Sequence, residues 1–523
     1  EVGIYAAQLY LEALNVMGTN LSPPRPSCYD AMDADVPKFI ELYCTGGKEK
    51  DNSDQCAILQ RTQRDLEWLK ADRLFKAAEK GGPDSTKLFE SAGDAYMSIW
   101  KKYGEGTCAK KEASCKRMED VLYNASRAFQ GARLLAKSIA VKKLLLDAQY
   151  NLDKTEVARK AIYEIGGNYQ AIAVYDEAAA YYERFARENP KMEKAAEALQ
   201  DAVVLRLGLG QEDQAIRDAE LFDKSYGSQK PAQSAQIAFA VGAHYAEKED
   251  WENARRRLMA AMGHIDRSAS PDVLIQAHAT LARVFVKINN PSSAVPEYNK
   301  VRGAWRDPQA AIKKLDAMGG AEDEKLRRQA RVLTAVGEAM FFFAEQKRKE
   351  VDRIIFPGYK GSGSRDDVVR HIRTKVKDWV EKKRPAIQAA EQEYLRIVEL
   401  QPAPPPRWVI AAGARVGNMW GKFVAEVRAA PIPKEWRGNG MVPGTDVSYA
   451  EIRGTYYDEI DRASEPQKLH AKGAFETCLR YSVKYMFFDE YSRSCEVWLS
   501  KHYPSHYHLI DELRGAPWRA SSG

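Results

Sequence analysis

The chain has no apolar run approaching the roughly 18 residues that a membrane-spanning helix needs. Its densest stretches, such as Met340-Phe341-Phe342-Phe343-Ala344, are far too short, so no transmembrane segment is expected. It has no sustained alternation of apolar and polar residues, which leaves essentially no sheet to expect. It has no marked excess of charge of one sign: 79 Lys and Arg face 73 Asp and Glu, for a net charge of +6. A dedicated nucleic-acid binder would concentrate positive charge, so nucleic acid is not an expected partner. Motifs of chemistry are missing too. There is no C-x-x-C pair, no H-E-x-x-H, no nucleophile elbow and no EF-hand loop. Gly361-Ser362-Gly363 lacks the Gly-Lys-Ser/Thr ending and the flanking strand of a phosphate loop, and it reads as linker. No catalytic residue, cofactor or metal ligand is therefore expected.

Cysteine is absent from the whole middle of the chain. Cys28, Cys44, Cys56, Cys108 and Cys115 lie near the start, and Cys478 and Cys495 near the end. Cys44 and Cys56 flank a polar loop, and Cys108 and Cys115 bracket a short segment after Tyr103-Gly104-Glu105-Gly106. Cys478 and Cys495 sit about symmetrically around Phe487-Phe488-Asp489-Glu490, as a hairpin staple requires. Loop-flanking pairs suit disulfides in an oxidising compartment, with Cys28 left odd. The alternative is seven buried or idle thiols in a cytosolic protein, and zinc is a poor third choice without a C-x-x-C pair. Glu1 begins within what reads as a helix (Ile4, Tyr5, Leu9, Leu11, Leu14). Whether a leader or a lipid anchor once preceded it stays open.

What is present is a pattern that returns about every 38 residues. Gly166 and Tyr169 are followed by Ala178, Tyr182 and Phe185, with Pro190 closing the unit; Gly242, Tyr245, Ala254 and Leu258 repeat the skeleton, as do Ala282, Phe285, Ala294 and Tyr298. A looser copy runs through Val203, Ala215, Ala219 and Phe222 to Gly227. The step from the small residue of the first helix to that of the second is 12 in each full match. Small residues let two antiparallel helices approach, so Gly166 is expected to face Ala178, and Gly242 to face Ala254, with Tyr169 and Tyr182 filling either side. This skeleton resembles the tetratricopeptide repeat (TPR), a helix-turn-helix of about 34 residues. The resemblance implies an all-α fold, a right-handed α-solenoid of TPR-like hairpins with helical caps at both ends.

Four regions follow: an N-terminal cap over 1–84, the repeats over 85–308, a divergent repeat with an insertion over 309–402, and a C-terminal cap over 403–523. Within the first cap, helices are expected to about residue 18, over 35–44 and over 55–79. In the divergent repeat, Gly337 pairs with Ala390 across about 41 inserted residues that include the Gly- and Ser-rich segment 356–364, a flexible loop by composition. The last helices are expected over 448–463, 466–486 and 489–502. Arg370 to Arg384 carries seven Lys and Arg against two acids, with Ile372, Val376, Trp379 and Val380 on one stripe. Such a helix packs its stripe and solvates its charges, so its Lys→Glu variants are expected to be near neutral. His502, His506 and His508, with Asp511 and Glu512, have the residue types of a metal site, but Pro504 breaks the helix between them. A structural or surface role is expected there.

In a TPR stack the inner surface comes from the first helix of each hairpin. Here those positions include Tyr163, Gln170, Phe239, Glu247, Arg283 and Lys287, a mixture of aromatic and charged side chains suited to a protein segment. Two C-terminal stretches, Arg407 to Trp420 and Phe487 to Pro517, resemble the periplasmic TPR proteins of the myxobacterial gliding-motility machinery. That resemblance implies a periplasmic, non-enzymatic scaffold within an envelope complex, whose partners are other envelope proteins. The alternatives are a cytosolic TPR regulator or co-chaperone and the helical part of a cell-wall lytic enzyme.

Overall fold

The computed structural model describes residues 2–19, 25–48 and 50–509. Among these residues the chain is all-α, a succession of helices with no strand beyond one isolated bridge between Met441 and Ser448. It forms two compact units, Glu1–Ile237 and Ala238–Gly523.

The first unit opens with helices Val2–Thr19, Ser27–Cys44 and Ser53–Glu79, which bury Ile4, Leu11, Val36 and Leu59 together. The second of these helices begins at Ser27, well before the expected start at 35. Pro26, with φ fixed at −59°, leads directly into the first turn, and Asp30 complements the exposed amides there. Burial of Met32 and Val36 then carries the helix through Pro37.

Hairpins follow in a regular series. Met118–Gly131 pairs with Leu135–Leu146, Glu156–Ala171 with Tyr175–Glu188, and Ala195–Gly208 with Glu212–Tyr226. Pro231–Glu247 precedes Trp251–Ser268, and Pro271–Lys287 pairs with Pro291–Ala304. One turn joins the helices of every hairpin. It is three residues long, and its middle residue is left-handed: Arg133, Ala173, Gly210, Glu249 and Asn289. The residue after it donates back into the helix, as Leu134 to Phe129, Val174 to Tyr169, Gln211 to Arg206, Asp250 to Tyr245 and Asn290 to Phe285, all at 2.8–2.9 Å. This is the Schellman way of satisfying the carbonyls that a helix end leaves open. The left-handed residues recur at steps of 40, 37, 39 and 40.

The small residues act differently from the sequence expectation. A side chain at Gly166 would meet the ring of Tyr182 at 2.7 Å, and one at Gly242 would meet Leu258 at 2.5 Å. Each glycine is therefore a socket for the bulky residue one turn beyond the expected partner Ala178 or Ala254. An alanine is too short to fill the gap between two helix axes, whereas a ring or leucine fills it and seals it from water. Tyr182 and Leu258 are buried accordingly, at 3% and 0% exposure.

The second unit ends in four longer helices, Glu322–Asp352, Lys377–Val398, Pro406–Arg428 and Tyr449–Tyr485, and the short Glu490–His502. Arg365–His371 runs into Lys377–Val398 through a widened turn over Ile372–Val376. Two expectations are corrected here. Residues 449–485 form one helix of 37 residues with Pro466 inside it. Proline removes a backbone bond at a cost of about 3 kcal/mol, but burial of Ser464, Gln467, Ala471 and Phe475 on both sides of it holds the helix together. Segment 356–364 is tied down despite its glycines and serines. Asp367 accepts from Tyr359 Oη at 2.9 Å and from the Ser362 amide at 2.7 Å, and Gly363 accepts from the Lys434 amide at 2.8 Å. At Gly413 a side chain would meet the Ala474 carbonyl oxygen at 2.9 Å, so two long helices touch backbone to backbone there.

Candidate binding groove

Residues of the second unit from three helices line one cavity of about 390 Å³. Pro231–Glu247 supplies Phe239, Ala243 and Glu247, Pro271–Lys287 supplies Ala279 and Arg283, and Glu322–Asp352 supplies Ala330, Arg331 and Thr334. Helical spacing explains the set, since residues three and four apart share a face. The floor is alanine, which permits a close approach of foreign backbone. Gln276, Thr280 and Thr334 add hydrogen-bonding groups, and Glu247 and Arg331 bring exposed charges of opposite sign. The arrangement offers shape, hydrogen bonds and charge over an apolar floor.

Of the six expected groove residues, Phe239, Glu247 and Arg283 line this one cavity. Arg283 has a second task that the sequence does not reveal. Its guanidinium grips Glu338 in a bidentate pair, with Nε donating to Oε1 at 2.8 Å and Nη2 to Oε2 at 2.5 Å. Tyr298 Oη also donates to Glu338 Oε1, at 2.8 Å. Burial, followed by the neighbouring Glu338 carboxylate, pushes the Tyr298 phenol well above its ordinary range. Glu338 is 5% exposed, so reversing the charge at Arg283 would leave a buried carboxylate facing another. Arg283 is therefore part of the frame as well as the wall.

Lys287 is exposed, with Nζ 5.5 Å from the centre of the Trp251 ring, and it does not line the cavity. Tyr163 and Gln170 belong to the first unit and are engaged within their own hairpin. Tyr163 packs on Tyr182 and Phe185 with ring centres 5.5 and 5.3 Å away, and Gln170 accepts a 2.7 Å hydrogen bond from Tyr182 Oη.

The basic helix is corrected in one residue. Trp379 is buried as expected, stacked on Phe423 at 5.2 Å. Lys383, in contrast, is 2% exposed, and its Nζ donates to the carbonyls of Val351 and Ile354, both at 2.9 Å. Glu426 lies 3.8 Å away. Burial, only partly offset by Glu426, lowers the pKa of this ammonium. Lys383 caps the end of helix Glu322–Asp352, and a charge-solvating role does not describe it. The sequence carried a faint signal, since Lys383 lies four residues beyond Trp379, on the buried stripe.

The cysteines pair as Cys44–Cys56, Cys108–Cys115 and Cys478–Cys495, with Cα separations of 5.6, 4.8 and 6.5 Å, and Cys28 is free. The His502 ring stacks on Trp498 at 4.4 Å, where burial and then the nearby lysines lower its pKa. His506 bonds Ser505 at 2.8 Å. Asp511 and Glu512 lie outside the described residues. Among the described residues, no helix is long and apolar enough to cross a membrane, and no three His, Cys, Asp or Glu side chains gather as a metal site would require.

No family model matches the chain, and no curated protein matches it. Among solved structures, BtubC (BKLC) from P. vanneervenii aligns with 48% of this chain and 93% of its own length, at 13% identity and a TM-score of 0.28. A likeness at that level carries no argument about fold or function.

Proposed function

We propose that the protein is a non-enzymatic scaffold of the TPR type that docks segments of other envelope proteins in the cavity lined by Phe239, Glu247 and Arg331. The observation that carries this reading is the alanine floor shared by three helices and edged by exposed charges of opposite sign. Such a surface suits an extended segment whose backbone lies close and whose side chains meet the rim. The three cysteine pairs are weakly compatible with an oxidising compartment such as the periplasm. Membership of a motility or trafficking complex rests on the C-terminal resemblance alone.

Ala330 and Arg331 are exposed, so Ala330→Trp and Arg331→Glu alter the cavity without touching the Glu338 network. In pull-downs from an envelope extract, Ala330→Trp is expected to remove partners held by the unaltered protein. Arg331→Glu is expected to slow their association, most visibly at low salt. Full retention of the same partners by both variants, with unchanged circular dichroism, would overturn the assignment.

A further inference from the structure

A second cavity, of about 570 Å³, lies among helices Lys377–Val398, Pro406–Arg428 and Tyr449–Tyr485. It is separate from the groove and independent of the scaffold reading. Its volume falls in the range of small-molecule sites, about 300–1,000 Å³. Along the last helix it is lined at 466, 469, 470, 473, 474, 477 and 480, a single face that runs for roughly 21 Å at 1.5 Å per residue. Its walls are apolar: Leu395, Val398, Val416 and Leu469. Leu395 and Leu469 are 39% and 53% exposed, which is open apolar surface within a concavity.

Among the polar groups of the lining, which include His470, Thr477 and Arg480, Glu391 is the one carboxylate. The Glu391 side chain is only 15% exposed. Its Oε2 accepts from Trp420 Nε1 at 3.0 Å. Its Oε1 has His470 Nδ1 at 4.0 Å, beyond hydrogen-bond range, and the His470 ring is stacked on Trp420 at 5.5 Å. No Lys or Arg among the described residues forms an ion pair with it. Oε1 is not among the buried atoms without a partner, so it stays open to the cavity and can accept from a ligand. At the other end, Arg480 is exposed and lies 5.8 Å from the centre of the Tyr481 ring, so its charge is already solvated. Glu391 is therefore the group of this cavity that a cationic ligand would meet.

We propose that the cavity binds an elongated apolar amine, with its ammonium on Glu391 Oε1 and its hydrocarbon body along Leu395, Val398, Val416 and Leu469. Alkylamines are protonated near neutral pH, as lysine is. The ammonium would form the charge-assisted bond that Oε1 lacks. Gly473 offers a clean way to close the site, because a side chain there meets no atom within 4 Å and projects into open space on the lining face.

The test is calorimetric titration of the full chain with octylamine, octanol and octanoate. Octylamine is expected to bind at least tenfold more tightly than either of the others. Glu391→Gln keeps an acceptor for Trp420 and is expected to weaken octylamine at least tenfold while leaving octanol unchanged. Gly473→Phe is expected to abolish binding of all three, with an unchanged melting curve. Octanoate binding as tightly as octylamine would mean that Arg480 anchors the ligand, and would overturn the proposal. Absence of octylamine binding, or binding indifferent to both substitutions, would overturn it equally.

Discussion

The helices of the hairpins between residues 156 and 304 are 14 to 18 residues long, whereas the main helices after residue 322 reach 31, 22, 23 and 37 residues. Helix ends differ too, although not set by set: Tyr449–Tyr485 closes as the hairpin helices do, with left-handed Met486 and Phe487 donating to Ser482 at 3.0 Å, and Glu322–Asp352 does not. The first helix of each hairpin ends in its own Schellman turn, with every partner within six residues. Helix Glu322–Asp352 has no left-handed residue at its end, and the carbonyls of Val351 and Ile354 are met by Lys383 from another helix. Local termination makes each hairpin a nearly self-contained unit. Remote termination makes helix Glu322–Asp352 depend on Lys377–Val398, so damage to that contact is felt by two elements.

The largest expected effect is therefore at Lys383. Lys383→Glu places a carboxylate against two carbonyls and Glu426, and breaking a buried charged contact typically costs about 3–5 kcal/mol. Chemical denaturation should show a loss of that order, and a change below about 0.5 kcal/mol would remove the capping role. In the hairpins the sensitive point is fit. Gly242→Val drives a branched side chain into Leu258, and overpacking of this kind costs about 1–3 kcal/mol. Ala254→Ser, one turn away from that contact, serves as a milder comparison. If the two variants melt alike, Gly242 is not a socket for Leu258.

The smallest effect concerns pH. Asp218 Oδ2 is buried without a hydrogen-bond partner. It faces Glu183, Arg206 and Arg187, and Glu183 Oε1 is already taken by Arg206 Nε at 2.6 Å. Burial, then repulsion from Glu183, pushes the Asp218 carboxyl up to about 7 from its ordinary 3.8. A folded-state pKa above the unfolded one means that folding retains a proton. The stabilisation is complete below the unfolded value and is lost as pH rises through about 7. Asp218→Asn supplies a permanent donor, so the variant should equal the parent in acid and exceed it by about 1–2 kcal/mol at pH 8, the scale of one buried hydrogen bond. Thermal melts from pH 5 to 8.5 that run parallel for the two proteins would refute this.

Helix positions, the hairpin series and the cysteine pairs were legible because each is written in local spacing: small residues 12 apart, and cysteines flanking polar loops. The cavity was half legible. Phe239, Glu247 and Arg283 follow from helical periodicity, but Arg331 lies on a helix whose partner is separated by the insertion, so no spacing rule connects it. Spacing alone points Gly166 at Ala178, because the pattern counts residues and not side-chain reach, and Tyr182 extends one turn further than its Cα. Composition makes Lys383 look solvated because it averages over a helix, while burial is decided residue by residue. Pro466 misled for the opposite reason, since a local breaker was outweighed by packing on both sides of it. Glu391 carries no sequence signal at all, because its neighbours Trp420 and His470 come from two other helices.

The uniform three-residue turn has a consequence for how such a chain can change length. Lengthening any of these turns would remove a backbone bond and misdirect the following helix, so the connections within hairpins are closed to insertion. The links between hairpins are not uniform: 189–194 holds six residues, 227–230 four and 269–270 two. Growth and loss of sequence are therefore channelled to one end of each hairpin. A reporter domain or protease site placed at 189–194 would leave the stack intact, whereas the same insert at 172–174 would split it.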